Sequence, residues 1–274
     1  MDHQDLIDAW RREEAQPFTG WDFSYLDGRM DEEQPPWSYL GRAAALMQRA
    51  SAVLDMGTGG GERLLSLRVH WPETVVVTED YAPNVKLAEA RLGPLSVEVV
   101  RVSLTPEGRM PFEDGEFDLI LNRHSGLNAV EVARVLAPGG VFLTQQIHGL
   151  WAQDLLAAFD AAPPWPDATP EIDVPRLETA GLEIKTVETW QGRLTFHDVG
   201  AVVYYLKAVP WLVPGFSVAT HTDDLLRLHA RLETWRETKL PEGHALTVLF
   251  DQSQFIAQAV REVRNAALIG GLLA

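Results

Sequence analysis

Residues 53–62, VLDMGTGGGE, constrain the fold of this chain more than any other stretch. An apolar run ends in an acid and opens into glycines, which predicts a buried strand, a tight turn and the start of a helix. Gly57, Gly59 and Gly61 lack the β-carbons that would keep a ligand away from the backbone, and glycine tolerates the positive φ of a tight turn. The pattern indicates a nucleotide-sized binding loop, although glycines also mark ordinary turns.

The next apolar run, residues 74–79 (TVVVTE), predicts a second strand that also ends in a carboxylate. A strand, glycine loop, helix and second strand with a terminal acid are typical of a ribose-binding βαβ unit, which brings Asp55 and Glu79 to one edge of the sheet. A nicotinamide-binding loop, G-x-G-x-x-G, would need its third glycine at position 62, where this chain has Glu62. The dinucleotide fingerprint is therefore absent.

Strands and helices continue to alternate along the chain. The predicted helices cover about residues 1–15, 41–50, 62–70, 83–92, 129–136, 176–181, 201–209 and 223–238. The predicted strands cover about residues 53–56, 74–79, 97–102, 117–121, 141–147, 182–187 and 254–260. We expect Pro138-Gly139-Gly140 to stop a helix before the fifth strand, and Gly192-Arg193 to form a turn.

Two segments carry a family resemblance. The pattern Asp55-x-Gly57-x-Gly59-x-Gly61 resembles the first motif of class I S-adenosylmethionine-dependent methyltransferases. Residues 110–118 (MPFEDGEFD) are similar to the Leu-Pro-Phe…Phe-Asp segment of that family, and the resemblance covers about residues 50–148. It implies an α/β fold with a Rossmann-like, seven-stranded, mostly parallel sheet, an antiparallel last strand, helices on both faces and a helical and aromatic cap.

The resemblance also implies S-adenosyl-L-methionine as the cofactor. The residues that it implies for cofactor binding are Asp55, Gly57, Thr58, Gly59, Gly61, Glu79, Asp80, Ser103, Leu104 and Asn122. Glu79, or Asp80 one residue later, would accept hydrogen bonds from the ribose hydroxyls. Ser103 departs from the Asp that the family commonly places beside the adenine, and it could equally be only a turn residue.

His124 follows the fourth predicted strand and is the candidate catalytic residue. A histidine pKa of about 6.5 suits removal of a proton from an acceptor hydroxyl or amine near neutral pH. The alternative is that His124 only shapes the pocket or caps the following helix. The remaining histidines lack the spacing of metal ligands, so we predict no metal.

Composition excludes several kinds of chemistry. The chain has 23 Lys and Arg against 39 Asp and Glu, and its net charge of -16 disfavours nucleic acid as a partner, although a local basic patch could override this. It has no cysteine, which excludes disulfides, thiolate metal sites and thiol nucleophiles. Without a secretory signal or a membrane-spanning run, we expect a cytoplasmic protein.

We predict a single domain over residues 1–274, with an N-terminal lid at 1–40, a cofactor-binding core at 41–148, and a cap insertion with the C-terminal strands at 149–274. The lid hypothesis depends on four rings that could equally be packing: Trp21, Phe23, Tyr25 and Trp37. The apolar residues 266–274 predict core packing or, alternatively, a homodimer contact.

The predicted activity is in-line methyl transfer to a small-molecule acceptor that is partly aromatic or apolar. The acidity of the chain disfavours a polyanionic acceptor. Two alternatives are methylation of an RNA base and a non-catalytic role in cofactor binding or regulation.

Overall fold

The computed structural model of this protein describes residues 2–103, 108–239 and 248–261. Two predictions lie outside them, the adenine contact of Leu104 and the packing of residues 266–274. The chain divides into two compact units, of which the first comprises Met1–Ser38, Gln146–Ile172 and Glu188–Phe255 and the second Tyr39–Gln145, Asp173–Val187 and Ile256–Ala274. The single domain with lid, core and cap stays a prediction.

Helices and strands alternate through most of the chain. The helices are α1 His3–Glu14, α2 Tyr39–Met47, α3 Glu62–Ser66, α4 Ala82–Leu92, α5 Ala129–Val135, α6 Gln153–Ala158, α7 Pro170–Thr179, α8 Val199–Ala208 and α9 Thr222–Lys239. The strands are β1 Met30–Glu32, β2 Ala52–Met56, β3 Thr74–Glu79, β4 Glu98–Arg101, β5 Phe117–Arg123, β6 Leu136–Ile147, β7 Leu182–Phe196 and β8 Val248–Arg261. No helix in these described ranges is both long enough and apolar enough to cross a membrane.

The sheet of the second unit runs in the order β7, β8, β6, β5, β2, β3 and β4. The five neighbours from β6 to β4 pair in parallel, which confirms the predicted α/β fold with a mostly parallel sheet. Met56 of β2 lies beside Thr78 of β3 and Asn122 of β5, so the carboxyl ends of three central strands share one edge. The antiparallel direction of the last strand stays a prediction.

Burial explains why these segments form central strands. Every residue of β3 from Val75 to Glu79 is buried, and a strand buried on both faces reads as a continuous apolar run. Leu54, Ile120 and Phe142 come from three neighbouring strands and join one apolar core cluster of the second unit. The sequence patterns of these strands therefore follow from burial in a covered parallel sheet.

The prediction for Pro138-Gly139-Gly140 is wrong, because these residues lie inside β6 instead of before it. Phe117 pairs with Leu136 and Leu119 pairs with Val141, so β6 carries extra residues between the two pairs, as in a bulge. Gly139 has a φ of 80°, which suits glycine, and proline is tolerated in strands at such bulges. The apolar pattern showed the strand but not this irregular start.

The predicted turn at Gly192-Arg193 is also wrong, because β7 continues through both residues to Phe196. Its end pairs antiparallel with β1, with Met30 opposite Phe196 and Glu32 opposite Leu194. β1 brings the number of described strands to eight instead of the predicted seven. Its sequence, MDE, has no strand pattern of its own, so only the pairing partner shows it.

In the first unit, the aromatic stretch of residues 18–25 is part of the core. Phe18 and Tyr25 contact Tyr204 of α8 with ring centroids 6.2 and 4.6 Å apart, and Phe23 lies 5.5 Å from Tyr205. Trp21 keeps 48% of its surface exposed. Tyr25 also keeps 42% of its surface exposed, so packing in the core accounts for Phe18 and Phe23, and movement as a lid stays a prediction.

Candidate cofactor and acceptor site

The glycine loop between β2 and α3 has the left-handed backbone that its sequence predicts. Gly57, Gly59 and Gly61 have φ angles of 65°, 64° and 82°, a region that residues with a β-carbon rarely adopt. The Thr58 N–H donates to the carbonyl of Thr78 at 3.0 Å, which ties the loop to β3. Helix α3 ends at Ser66, before the predicted position 70, where a short 3-10 turn follows.

The Glu79 carboxylate holds this loop from the end of β3. It is buried and accepts hydrogen bonds from the N–H groups of Gly59 at 2.8 Å, Tyr81 at 2.9 Å and Asp80 at 3.1 Å. Asp80 is exposed, and its carboxylate accepts a hydrogen bond from the Ser103 hydroxyl at 3.1 Å. Of the two candidate acids, Glu79 is thus the one bonded to the glycine loop.

Asp55 occupies a site that disfavours its charge. Burial raises the pKa of its carboxyl from 3.8 to about 6, the nearby Glu79 carboxylate adds to this rise, and Thr58 opposes it. The pKa of Tyr39 at the start of α2 is also raised, first by burial and then by the charge of Asp55. A carboxyl group and a phenol therefore share a poorly hydrated place beside the glycine loop.

Two hydroxyls near Asp55 lack hydrogen bonds of ordinary geometry to any described residue. They are Tyr39 Oη and Thr58 Oγ1, and both are buried. Buried polar atoms are normally satisfied, so exceptions point to water or a ligand. The loop backbone, Glu79 and these two hydroxyls fit a ligand that carries charged and hydroxyl groups.

At the end of β5, Asn122 is fully buried and its side-chain amide donates to the carbonyl of Gly126 at 3.0 Å. This bond shapes the turn that follows the strand. Asn128 caps α5 by accepting a hydrogen bond from the Glu131 N–H at 3.1 Å. The alternative role of His124 as the helix cap is therefore wrong.

His124 has a left-handed backbone with a φ of 57°, and its N–H donates to the carbonyl of Gln145 at 2.9 Å. Its side chain is exposed to solvent, and its Nε2 lies 3.4 Å from the side-chain nitrogen of Gln145. Poor hydration of the charged ring lowers the pKa of His124 well below 6.5, and the positive charges of Arg123 and Arg63 lower it further. A lowered pKa makes the ring a weaker base than an ordinary histidine.

The sequence places Ser125 just after the fourth predicted strand, but it did not predict the contact of this residue with the glycine loop. A β-carbon at Gly57 would lie 2.2 Å from Ser125 Oγ and 2.5 Å from its Cβ. The turn after β5 therefore lies directly against the glycine loop. No local pattern indicates this contact, because the two residues are far apart in the sequence.

We expect Gly57→Ala to lower the free energy of unfolding by about 2–3 kcal/mol, because the new β-carbon meets both a left-handed φ and the Ser125 side chain. In a Ser125→Gly background, the same change should cost only the conformational part, about 1–2 kcal/mol. Urea denaturation of the four proteins measures both values. An equal cost in both backgrounds would show that Ser125 does not cover Gly57 in solution.

Most of the predicted cofactor residues thus meet at one edge of the second unit. Asp55, the glycine loop, Thr58 and Glu79 lie together, Asn122 ends a neighbouring strand, and Asp80 and Ser103 form a separate pair. In the described ranges, no three His, Asp or Glu side chains come together as a metal site would require. A glycine loop and strand-end acids at one edge of a parallel sheet are typical of α/β proteins that bind nucleotide-like cofactors.

Comparison with known proteins identifies the class. Residues 54–144 match the methyltransferase domain family. Demethylmenaquinone methyltransferases are similar over parts of their length: that of Deinococcus radiodurans is 29% identical over 112 residues, 38% of this chain and 46% of that protein. That of Thermus thermophilus is 32% identical over 103 residues, 35% of this chain and 47% of that protein. The chain therefore matches less than half the length of these relatives.

A solved structure from Bacillus halodurans, provisionally named a methyltransferase, has the same fold with a TM-score of 0.54. It is 20% identical, and the match covers 82% of this chain and 97% of that one. This likeness concerns the fold alone. Residues 54–144 are therefore similar to a methyltransferase domain, and the described fold is the Rossmann-like α/β fold that this solved structure shares.

Proposed function

We propose that this protein transfers a methyl group from S-adenosyl-L-methionine to a small-molecule acceptor. The observation that carries the proposal is the Glu79 carboxylate, which is buried and bonded to Gly59 of a left-handed glycine loop. The matched family and the names of the relatives support methyl transfer in general. A demethylmenaquinone is a small molecule, and this supports the acceptor class.

The residues at this edge would divide the binding of the cofactor among them. Glu79 would accept hydrogen bonds from the ribose hydroxyls, because a carboxylate can accept more bonds than its three backbone donors use. Asp55 would face the ammonium group, and the unsatisfied hydroxyls of Tyr39 and Thr58 would bind the amino-acid end. Asp80 and Ser103 would lie towards the adenine.

The cofactor supplies a methyl group on a positively charged sulfur, so no covalent nucleophile is needed from the protein. The side chains at this edge would hold the acceptor in line with that methyl group and exclude water. Correct placement of two reactants can contribute about 7–11 kcal/mol to lowering a barrier. A catalytic role for His124 stays a prediction, and its lowered pKa makes it a weak general base.

That the aromatic stretch of residues 18–25 covers an apolar acceptor stays a prediction. Trp21 and Trp165 remain exposed, and their ring centroids lie 5.6 and 6.3 Å from that of Trp211. Phe23 packs against α8, whereas Tyr25 contacts α8 and is still 42% exposed. The cytoplasmic location and the homodimer stay predictions.

Glu79→Gln is expected to weaken binding of S-adenosylhomocysteine by about 1.5–2 kcal/mol, because a charged acceptor of ribose hydroxyls is lost. Asp80→Asn removes the same charge one residue later and should change binding by less than about 0.5 kcal/mol, because this carboxylate is exposed. Titration calorimetry on both variants and the wild type measures this.

Asp80→Asn is the control that decides which of the two acids binds the ribose. If Asp80→Asn is the more damaging change, the ribose is held one residue further along the chain. If the wild-type protein does not bind S-adenosylhomocysteine at all, the proposed function is wrong.

A further inference from the structure

Gly60 is a glycine of the loop that the family motif does not explain, because the motif leaves this position open. Its φ also lies outside the left-handed region, unlike those of the glycines on either side. A β-carbon at Gly60 would lie 2.6 Å from a guanidinium nitrogen of Arg91, and 2.5 and 2.8 Å from the two carboxylate oxygens of Glu62. Glycine at this position therefore leaves room for two charged side chains over the loop.

The last turn of α4 holds the loop through two consecutive residues. Nη1 of Arg91 donates to the carbonyl of Gly60 at 2.9 Å, and the same nitrogen forms an ion pair with the carboxylate of Glu62, the first residue of α3. Leu92 is fully buried and covers Gly61, where a β-carbon would lie 2.8 Å from Leu92 Cδ1. The loop is thus bonded to α4 as well as to β3.

The bond from Arg91 fixes one peptide unit of the loop. The carbonyl of Gly60 and the N–H of Gly61 belong to the same planar unit. The N–H donates to the carbonyl of Thr58 at 3.2 Å, and the carbonyl accepts from Arg91 at 2.9 Å. A peptide unit between two glycines can rotate at low cost, because neither residue has a β-carbon. Hydrogen bonds at both ends oppose this rotation, and Arg91 supplies one of them.

We propose that Arg91 is a positioning residue for the cofactor, because its bond to the Gly60 carbonyl keeps the glycine loop in the form that binds S-adenosyl-L-methionine. This inference rests on the proposed function for the identity of the ligand. Arg91 acts through the loop backbone, and Glu62 orients its guanidinium. The two side chains are 37% and 46% exposed, so their ion pair alone stabilises the fold little. The effect of Arg91 should therefore appear in the affinity for the cofactor.

The first test is Arg91→Met, with titration calorimetry against S-adenosylhomocysteine. We expect binding to weaken by about three- to tenfold, because a hydrogen bond that holds the binding form of the loop is lost. Lys86→Met is the matched control, since Lys86 is an exposed cation on the same helix. This variant should keep the wild-type affinity. Equal affinities of Arg91→Met and Lys86→Met would overturn the proposal.

Arg91→Lys distinguishes the contacts of the nitrogen from packing of the side-chain stem. A single nitrogen of Arg91 makes both contacts, so an ammonium group with three donors can replace it. We expect lysine to recover most of the affinity that methionine loses. Lysine that binds S-adenosylhomocysteine no better than methionine would contradict the proposal. Thermal unfolding of each variant shows that it is folded.

Gly60→Ala reaches the same contact from the loop. The new β-carbon should displace the guanidinium of Arg91 and the carboxylate of Glu62, which are the ends of flexible side chains. Binding should then weaken about as much as in Arg91→Met, and the double variant should bind no more weakly than either single variant. Losses that multiply in the double variant would show that Gly60 does not act through Arg91.

Hydrogen exchange of the Gly61 N–H, measured by NMR in the free protein, separates this proposal from the proposed function. Exchange should be faster in Arg91→Met, because the peptide unit can then turn away from Thr58. If the wild type does not bind S-adenosylhomocysteine and Arg91→Met still exchanges faster, the hold of Arg91 on the loop stands and the methyl-transfer proposal fails. If the wild type binds S-adenosylhomocysteine and Arg91→Met changes neither affinity nor exchange, only the role of Arg91 fails.

Discussion

Arg134→Met is expected to lower the free energy of unfolding by about 3–5 kcal/mol, because it leaves a buried carboxylate without its main cation. The Arg134 guanidinium donates to both carboxylate oxygens of Glu131 at 2.8 and 2.7 Å. It also donates to the carbonyls of Met110 and Phe112 at 2.9 and 2.7 Å. The side chains of Arg134 and Glu131 are only 16% and 10% exposed, so water has little access to replace the lost hydrogen bonds.

Urea denaturation of Arg134→Met, Glu131→Gln and the double variant measures the coupling. In the double variant neither residue is left as an unpaired buried charge. Its free energy of unfolding should therefore fall by less than the sum of the two single changes. Additive losses would contradict a coupled pair. Arg109 also favours the charged form of Glu131, but its contribution is smaller.

The pH dependence of this pair has a definite sign. Arg134 lowers the pKa of Glu131 below its ordinary value of 4.5, so the folded state binds the proton less tightly than the unfolded state. The stabilisation from the Arg134–Glu131 pair is fully present above the ordinary pKa of 4.5. It is lost as the pH falls through the lower pKa of Glu131 in the folded state. Arg134→Met should therefore show a weaker loss of stability in acid than the wild type.

Asp55→Asn is expected to stabilise the free protein and to weaken its binding of S-adenosylhomocysteine. The folded pKa of about 6 exceeds the ordinary 3.8, so the folded state favours the protonated carboxyl. Stability therefore falls as the pH rises between these values, and the full penalty, about 1–3 kcal/mol, remains at neutral pH. An amide avoids this penalty but should weaken S-adenosylhomocysteine binding by about 100-fold, since the ammonium loses its charged partner.

Asp118→Asn is the matched control for this experiment. Asp118 begins β5 at the opposite end of the sheet and accepts hydrogen bonds from the N–H groups of Ser51 and Ala52, the shortest at 2.8 Å. Its replacement should lower stability and leave calorimetric S-adenosylhomocysteine binding unchanged. If Asp55→Asn is destabilising and binds S-adenosylhomocysteine normally, Asp55 is a structural residue.

Local patterns were sufficient for the central strands and the glycine loop. Apolar runs mark buried parallel strands, and glycine at positions 57, 59 and 61 marks left-handed backbone, because each signal depends on residues adjacent in sequence. The preference for Glu79 over Asp80 as the acid at the loop also came from the strand's length, and the bond to Gly59 supports it.

Irregular strands were beyond these patterns. The bulge at residues 138–140 and the continuation of β7 through Gly192 depend on the neighbouring strand. Because that neighbour is not evident from sequence, the glycine and proline residues there predicted turns instead. The aromatic stretch of residues 18–25 had two interpretations from sequence. The structure shows core contacts for Phe18 and Phe23, whose ring partners lie far along the chain, whereas Trp21 and Tyr25 stay exposed.

The sequence by itself determined the mostly parallel sheet and the glycine loop, since hydrophobic period and turn chemistry are local properties, and the binding of a cofactor at this edge stays a proposal. Only the tertiary structure decided what surrounds them: Ser125 against Gly57, the raised pKa of Asp55, and the lowered pKa of His124. These depend on distances between residues that are remote in sequence, and desolvation and charge act through space instead of along the chain.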